Sequence, residues 1–400
     1  MRAGLLAHAL LEQGHEVVWW KSTFEHVSKT HYRGQDGFEE VEPGLTVGWI
    51  HSRGYRNHVS LARALDHREL GRRFPQLAES RPLPDVLVCS IPVPELALAG
   101  VHFGLNHGVP VVVDIRDWWP EALVYTVPRF IRPPLRLALV PYSRMVDAAC
   151  RGATAITGIT PAFVDWGLSR AGRQRTEFDR DFPHGYDVPS VSEDSAAEAR
   201  RYWDGLGVYA DVERINVVFI GSVSRTYDCR PVLAAAQAFS KSHPRLVFVI
   251  CGDGDRLPAV KKKAESLSNV VFTGMWVGPP EIQELLRRAT VGLVPLPNRP
   301  DFLATVNNKT VEYLSAGVPI IVSPENSWVG KLASDNGFGT AWDGSDTKAL
   351  MAAIEQVVAN PAVFKGISLR AHEYYEQHFV AGKVYSRYVE FLGSLSRPLR

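Results

Sequence analysis

Apolar and polar positions alternate along this chain in two rounds. In the first, short β-rich runs fall at residues 16–20, 45–50, 85–89, 109–113, 154–157 and 180–183. Helical spacing appears between several of them, as at 59–70 and 94–105, and that alternation is the pattern of parallel βαβ units. A polar stretch at 190–211, rich in Ser, Ala, Glu and Arg, interrupts it. The pattern then restarts with runs at 215–221, 246–251, 269–273, 291–294, 319–323 and 339–342, separated by helical stretches such as 232–240, 279–288 and 346–358. The chain is therefore expected to be α/β, with two Rossmann-like doubly wound domains at 1–187 and 188–370. A helical segment is expected at 371–400. Two open sheets in series, facing each other, leave a cleft outside the carboxyl ends of their strands, which is where a ligand is expected.

The first residues break the pattern. Residues 1–13 read as a helix with Leu5, Leu6, Ala9 and Leu10 on one face, ending at Gly14. A doubly wound domain normally opens with a central strand. About five buried residues at about 1.5–3 kcal/mol each would rival a whole domain's stability of about 5–15 kcal/mol. The expectation is that the first strand is missing and that either the true start lies upstream or another segment fills its place.

Length and composition agree with two cores: 400 residues, 46% hydrophobic and 22% charged. Lys and Arg number 44 against 43 acidic residues, a formal charge of +1, so no global field favours nucleic acid and any anion site must be local. The four cysteines, Cys89, Cys150, Cys229 and Cys251, form no CxxC pair, which argues against a zinc site or disulfide framework and fits a reducing cytoplasm. No apolar run approaches the roughly 18 residues of a membrane span, and no signal peptide is evident, so the chain is expected to be soluble or peripheral.

Chemistry concentrates in a few places. At 307–319 a loop enters a helix, bringing free backbone N–H groups together with the Lys309 ammonium, an arrangement that holds anionic phosphates; Asn308 stands beside it. Glu312 lies one turn further on, where a carboxylate accepts from two adjacent ribose hydroxyls. An amphipathic helix with solvated Lys and Glu is the plain alternative. Gly221 ends the first strand of the second half, allowing close approach of a ligand, and Arg225 follows, a bidentate clamp for a diphosphate or a simple loop arginine. Gly252-Asp253-Gly254 resembles a dinucleotide fingerprint and Asp253-Gly254-Asp255 spells a DxD metal motif, but a structural turn explains both more cheaply. Asp117, in Asp114-Ile115-Arg116-Asp117-Trp118-Trp119-Pro120, stands at the end of a buried strand, where it can orient or deprotonate an acceptor hydroxyl. The alternative there is a loop-tying ion pair of Arg116 with Asp114 or Asp117. Four arginines interleave with apolar residues at 129–144, suiting either an anionic membrane surface or an ordinary packed helix cut short by Pro133, Pro134 and Pro141.

The stretch from Asn308 and Lys309 through Glu312 and Tyr313 to Gly317 and Pro319 resembles the Asn-Lys-x-x-Glu-Tyr-x-x-x-Gly-x-Pro helix of retaining, family 4-like glycosyltransferases with the GT-B fold. The loop at 114–120 and the turn Gly14-His15-Glu16-Val17 resemble the subgroup that uses N-acetylated or deoxy sugars. The resemblance implies that Gly221, Arg225, Asn308 and Lys309 meet the donor diphosphate, that Glu312 holds the ribose, that Gly274 and Met275 meet the base, that Asp117 is catalytic, and that the helical segment at 371–400 crosses back to the first domain. Where many members carry a second Glu for the donor sugar this chain has Ala304, which speaks against a plain hexose donor. The expected activity is transfer of a sugar from a nucleotide-sugar, UDP-linked, to a sugar or lipid-linked acceptor in polysaccharide or glycolipid synthesis, with anomeric retention. No metal or other cofactor is expected, since cations and helix N-termini neutralise the departing diphosphate. The expected location is cytoplasmic, peripheral on the inner membrane face. A sugar-nucleotide 2-epimerase of the same fold, and a non-catalytic sugar-nucleotide-binding partner, stay open.

Overall fold

The computed structural model describes residues 2–396 apart from Val27, His58, Val59, 211–213, Arg225, Thr226, Asp228, Ser345 and Asn360. The chain divides into two compact units: Met1–Pro183 with Gly382–Arg400, and His184–Ala381.

Unit 1 opens with α1 (Arg2–Glu12), β1 (Val17–Ser22), the short pair β2 (Phe24–Glu25) and β3 (Thr30–His31), β4 (Gly37–Glu42) and β5 (Leu45–Ile50). It continues with α2 (Leu61–Ala78), β6 (Leu87–Ile91), α3 (Pro94–His107), β7 (Val111–Ile115), α4 (Glu121–Tyr125), α5 (Arg132–Ala138), α6 (Val140–Gly152), β8 (Ala155–Gly158), α7 (Pro161–Ala171) and β9 (Arg180–Asp181). Its strands form two main sheets, β1-β5-β4 and β6-β7-β8-β9, with β2 and β3 as a separate pair. Among the described residues no ladder joins β1 to β6. Trp20 of β1 and Leu87 of β6 nevertheless pack into one apolar cluster with Ile50, Leu70, Phe74 and Phe103, so α2 and α3 cover parts of both sheets. β4 pairs antiparallel to β5 with a bulge between Glu40 and Glu42.

Arg2 on α1 is buried and grips Asp114 at the end of β7 with two bonds of 3.0 Å, while Thr157 donates to the same carboxylate at 2.9 Å. The main Asp114 partner is therefore Arg2, 112 positions away, with Arg116 adding a smaller electrostatic pull on the same carboxylate. Burial pushes the Asp114 carboxyl up, but the Arg2 guanidinium outweighs it and holds the group below its ordinary value.

Unit 2 is built from α8 (Glu193–Gly205), β10 (Ile215–Ile220), α9 (Arg230–Ser242), β11 (Leu246–Cys251), α10 (Leu257–Ala264), β12 (Val270–Phe272), α11 (Pro279–Arg288), β13 (Val291–Pro295), α12 (Pro300–Ala304), α13 (Asn308–Ser315), β14 (Ile320–Ser323), α14 (Trp328–Asp335), β15 (Gly339–Ala341), α15 (Thr347–Ala359) and α16 (Pro361–His378). Its six strands pair in parallel in the order β12-β11-β10-β13-β14-β15, reversing direction of travel at β10, a doubly wound sheet with apolar clusters on both faces. The central strands β10, β11 and β13 are buried almost throughout, which is why they read as continuous apolar runs.

The last helix, α17 (Ala381–Leu395), lies almost wholly in unit 1. There the Tyr388 ring stacks on Phe182 at 4.1 Å, and its hydroxyl meets Thr157 Oγ1 at 2.8 Å. The return falls at Gly382, later than the 371 set from sequence, because α16 still packs in unit 2: Ala371, Tyr375 and Phe379 are buried in its core.

Candidate active site

The switch point of the unit 2 sheet, beside β10, gathers most of the sequence candidates. Asn307 caps α13: its Oδ1 accepts from the Thr310 amide at 3.0 Å and from the Thr310 hydroxyl at 2.7 Å. That leaves Asn308 as the first helical residue, exposed, and turns Lys309 inward. Lys309 is only 7% exposed. Among the described residues its Nζ has no hydrogen-bond partner, and it sits over the rings of Phe219 (4.2 Å) and Tyr227 (3.7 Å). Burial pulls its pKa down to about 7, with Cys229 and Glu312 opposing. Aromatic faces attract an ammonium but do not replace its hydrogen bonds, so three donors are held ready in a water-poor place.

The backbone around Nζ is shaped by glycine. Gly221, at φ 142°, has its Cα so close to the lysine that a Cβ would lie 2.7 Å from Nζ. Gly252, also at φ 142°, lies against Gly221: a Cβ there would be 2.1 Å from the Gly221 carbonyl oxygen. The two loops are laced together by Gly221 N–H to Cys251 C=O and Val223 N–H to Asp253 C=O, both 2.9 Å. This supports the structural reading of Gly252-Asp253-Gly254. Arg225, the proposed clamp, lies outside the described residues.

One turn along α13, Glu312 is half-buried, its carboxyl raised by burial and held back by Lys309. Tyr313 is fully buried; its hydroxyl accepts from Ile220 N–H and donates to Val218 C=O, each at 2.9 Å, fastening the helix to β10. The turn after β12 is tied to the same place, because Thr273 Oγ1 accepts from Gly252 N–H (2.9 Å) and donates to the Met275 carbonyl (2.8 Å). Gly274 adopts φ 74° in that turn, and Met275 is 59% exposed. Sequence reasoning missed Tyr227, Phe219 and Thr273 as parts of the site. A run of aromatics flanking a glycine is the signal that was available for the first two.

In unit 1, Asp117 lies in the loop after β7, exposed, its carbonyl accepting from the Trp119 amide at 2.9 Å. Trp119-Pro120 is a cis peptide. Ala304 is buried at the end of α12. Each of the prolines at 133, 134 and 141 opens a helix rather than breaking one, at the first turns of α5 and α6. Among the described residues no helix is long and apolar enough to cross a membrane.

Two α/β units in one chain, the second a doubly wound parallel sheet, have the construction of the GT-B fold. Residues 214–360, most of the second unit, match the family model described as Glycosyl transferases group 1. A stretch of 184 residues is 26% identical to alpha-monoglucosyldiacylglycerol synthase of Streptococcus pneumoniae, covering 44% of this chain and 38% of that protein's length. Among solved structures the chain is similar to sucrose-phosphate synthase of Thermosynechococcus elongatus, with a TM-score of 0.68 at 17% identity, covering 98% of this chain and 92% of the other. It is also similar to Anabaena HepE in complex with UDP and glucose, with a TM-score of 0.63 at 16% identity, covering 88% and 87%. At these identities the likeness is one of fold.

Proposed function

We propose that this chain transfers a sugar from a UDP-sugar to an acceptor hydroxyl, in the making of a cell-surface polysaccharide or glycolipid. The observation that carries it is Lys309: a buried ammonium without a hydrogen-bond partner among the described residues, one turn from Glu312 and against the glycine at the end of β10. A diphosphate supplies the missing acceptors, and Glu312 then stands where a ribose offers two hydroxyls. Gly274 and Met275 carry the base in this reading, and Asn308 with Arg225 completes the diphosphate contacts. HepE, whose structures contain UDP and UDP-glucose, lends support to the choice of nucleotide. Asp117 is assigned to the reacting centre, and transfer proceeds with retention. Charge on the departing diphosphate is met by Lys309 and the α13 N-terminus without a metal.

The acceptor is a sugar or a lipid-linked sugar. For the latter, the segment around α5 offers a surface: Phe130 is 80% exposed and Leu137 75% exposed, with Arg129, Arg136 and Arg144 exposed among them. Apolar side chains with arginines between them suit an anionic headgroup layer on the cytoplasmic face.

The test is incubation of the purified chain with a panel of UDP- and GDP-sugars, with and without acceptor, scored by nucleotide release. Acceptor-dependent UDP release is expected. Release that needs no acceptor and yields an epimerised sugar nucleotide points to the epimerase; UDP binding with no turnover under any condition points to a non-catalytic partner.

A further inference from the structure

β1 and β6 are edge strands of the two main sheets of unit 1: among the described residues β1 pairs with β5 alone and β6 with β7 alone. The single helix α2 joins β5 to β6, the kind of crossover that parallel strands need, so β1, β5, β6 and β7 run the same way. Trp20 of β1 and Leu87 of β6 pack into one apolar cluster beneath α2 and α3, which brings the two edges together.

In a parallel ladder a residue gives its N–H and its C=O to the same neighbour, and successive residues alternate sides. Val17 N–H donates to Gly44 C=O and Thr23 N–H to Ile50 C=O, so Val17, Trp19 and Lys21 serve β5 while Val18, Trp20 and Ser22 turn their backbone groups the other way. Leu87 N–H donates to Pro110 C=O, so Leu87, Cys89 and Ile91 serve β7 while Val88 and Ser90 face away from it. Among the described residues the N–H groups of these five have no partner. Val18 is 37% and Val88 36% exposed, whereas the inner strand β7 is buried throughout, so solvent reaches both edges.

An open edge is a template for any extended chain, and proteins commonly blunt it with charge, proline or a bulge. β4, at the far side of the first sheet, has two of these devices: Glu39, Glu40 and Glu42, and the bulge between Glu40 and Glu42. β1 and β6 have no proline and no bulge, and the five residues with open backbone groups are uncharged. One strand laid between them satisfies both rows at once. Its length is set by the six residues of β1 and the five of β6. Trp19 meets Gly4 of α1 on one face and Trp20 meets the cluster beneath α2 and α3 on the other, so such a strand is covered on both faces and is apolar on both, as buried parallel strands are.

We propose that the β1 and β6 edges form a docking site for one extended peptide strand, five or six residues long, uncharged and apolar on both faces, running parallel to both. The site belongs to unit 1 and stands whatever unit 2 binds. α1 starts beside the carboxyl end of β7, where Arg2 holds Asp114, and runs back to enter β1, so a strand carried ahead of α1 arrives in the required direction.

The experiment is residue-resolved amide hydrogen exchange on the full chain. The probe is a peptide of the β10 sequence Ile-Asn-Val-Val-Phe-Ile flanked by lysines, added free and, in a second version, fused ahead of α1 through a glycine–serine linker. In the chain alone, the amides of Val18, Trp20, Ser22, Val88 and Ser90 are expected to exchange about tenfold or more faster than those of Val17, Trp19, Leu87 and Cys89, which sit in ladders. The probe should slow all five by about tenfold or more. Slowing by the fused version alone also supports the site, since linkage raises the effective concentration of the strand. Slow exchange of the five amides in the chain alone means that the edges are already closed, and overturns the site. So does exchange left fast by both versions, or slowed equally by a control with proline for both valines, which lacks the N–H groups that a ladder needs.

Discussion

At the residue scale, the diphosphate role proposed for Lys309 ties stability to function. Its folded-state pKa, about 7, lies below the ordinary 10.5, so between these values the unfolded chain binds more protons than the folded one. Stability of the unliganded chain should therefore rise with pH across that window, the burial cost being complete below it. A diphosphate restores the ammonium, so UDP binding above pH 7 should take up a proton, and affinity should fall as pH rises towards 9. Calorimetry in two buffers of different ionisation enthalpy checks the uptake. Lys309→Met should abolish UDP binding while raising the melting temperature of the unliganded chain, the usual trade between a strained site and stability. Asp117→Asn should lower transfer by about 10²–10⁴-fold with UDP affinity retained, as loss of a positioned acid–base group does. The residue types at these places were legible in the sequence. Their surroundings were not: Phe219 and Tyr227, which hold Lys309, stand 90 and 82 positions before it.

At the scale of elements, α13 holds its place through polar contacts as much as apolar ones. Tyr313→Phe keeps the ring and strands the Ile220 N–H, so urea unfolding should show a loss of about 1–3 kcal/mol. Asn307→Ala, which removes only the cap, should cost about 1 kcal/mol. Sequence patterning located the buried parallel strands of unit 2 because both their faces are covered. It passed over β4, whose two-residue alternation of Phe38 and Val41 is put out of phase by the bulge between Glu40 and Glu42. Arg2 was equally invisible: nothing local marks a surface-type residue in an opening helix as the partner of a strand 112 positions on.

At the scale of the whole molecule, unit 1 is made from two separate parts of the chain and unit 2 from one. The segments where the chain passes from one unit to the other are joined to each other: Tyr186 N–H donates to Phe379 C=O at 2.8 Å, and Tyr186 forms a parallel bridge with Val380. Residues 184–381 thus have both their ends in one place, as an inserted domain does. Doubly wound units in series were legible from the two rounds of strands. The sharing of the last helix was visible only as a helical tail, because its partners Phe182 and Thr157 lie more than 200 positions away.

That last helix sets an order of events during synthesis. Domains ordinarily fold from the N-terminus as they leave the ribosome. Here unit 2 has its full complement of residues when Ala381 emerges, whereas unit 1 still lacks Tyr388, Phe391 and Leu392, all buried, until the final residues are made. The unit begun first is completed last. A released chain ending just past Ala381 should already bind UDP while its first 183 residues remain open to protease, and adding back the C-terminal helix should close them.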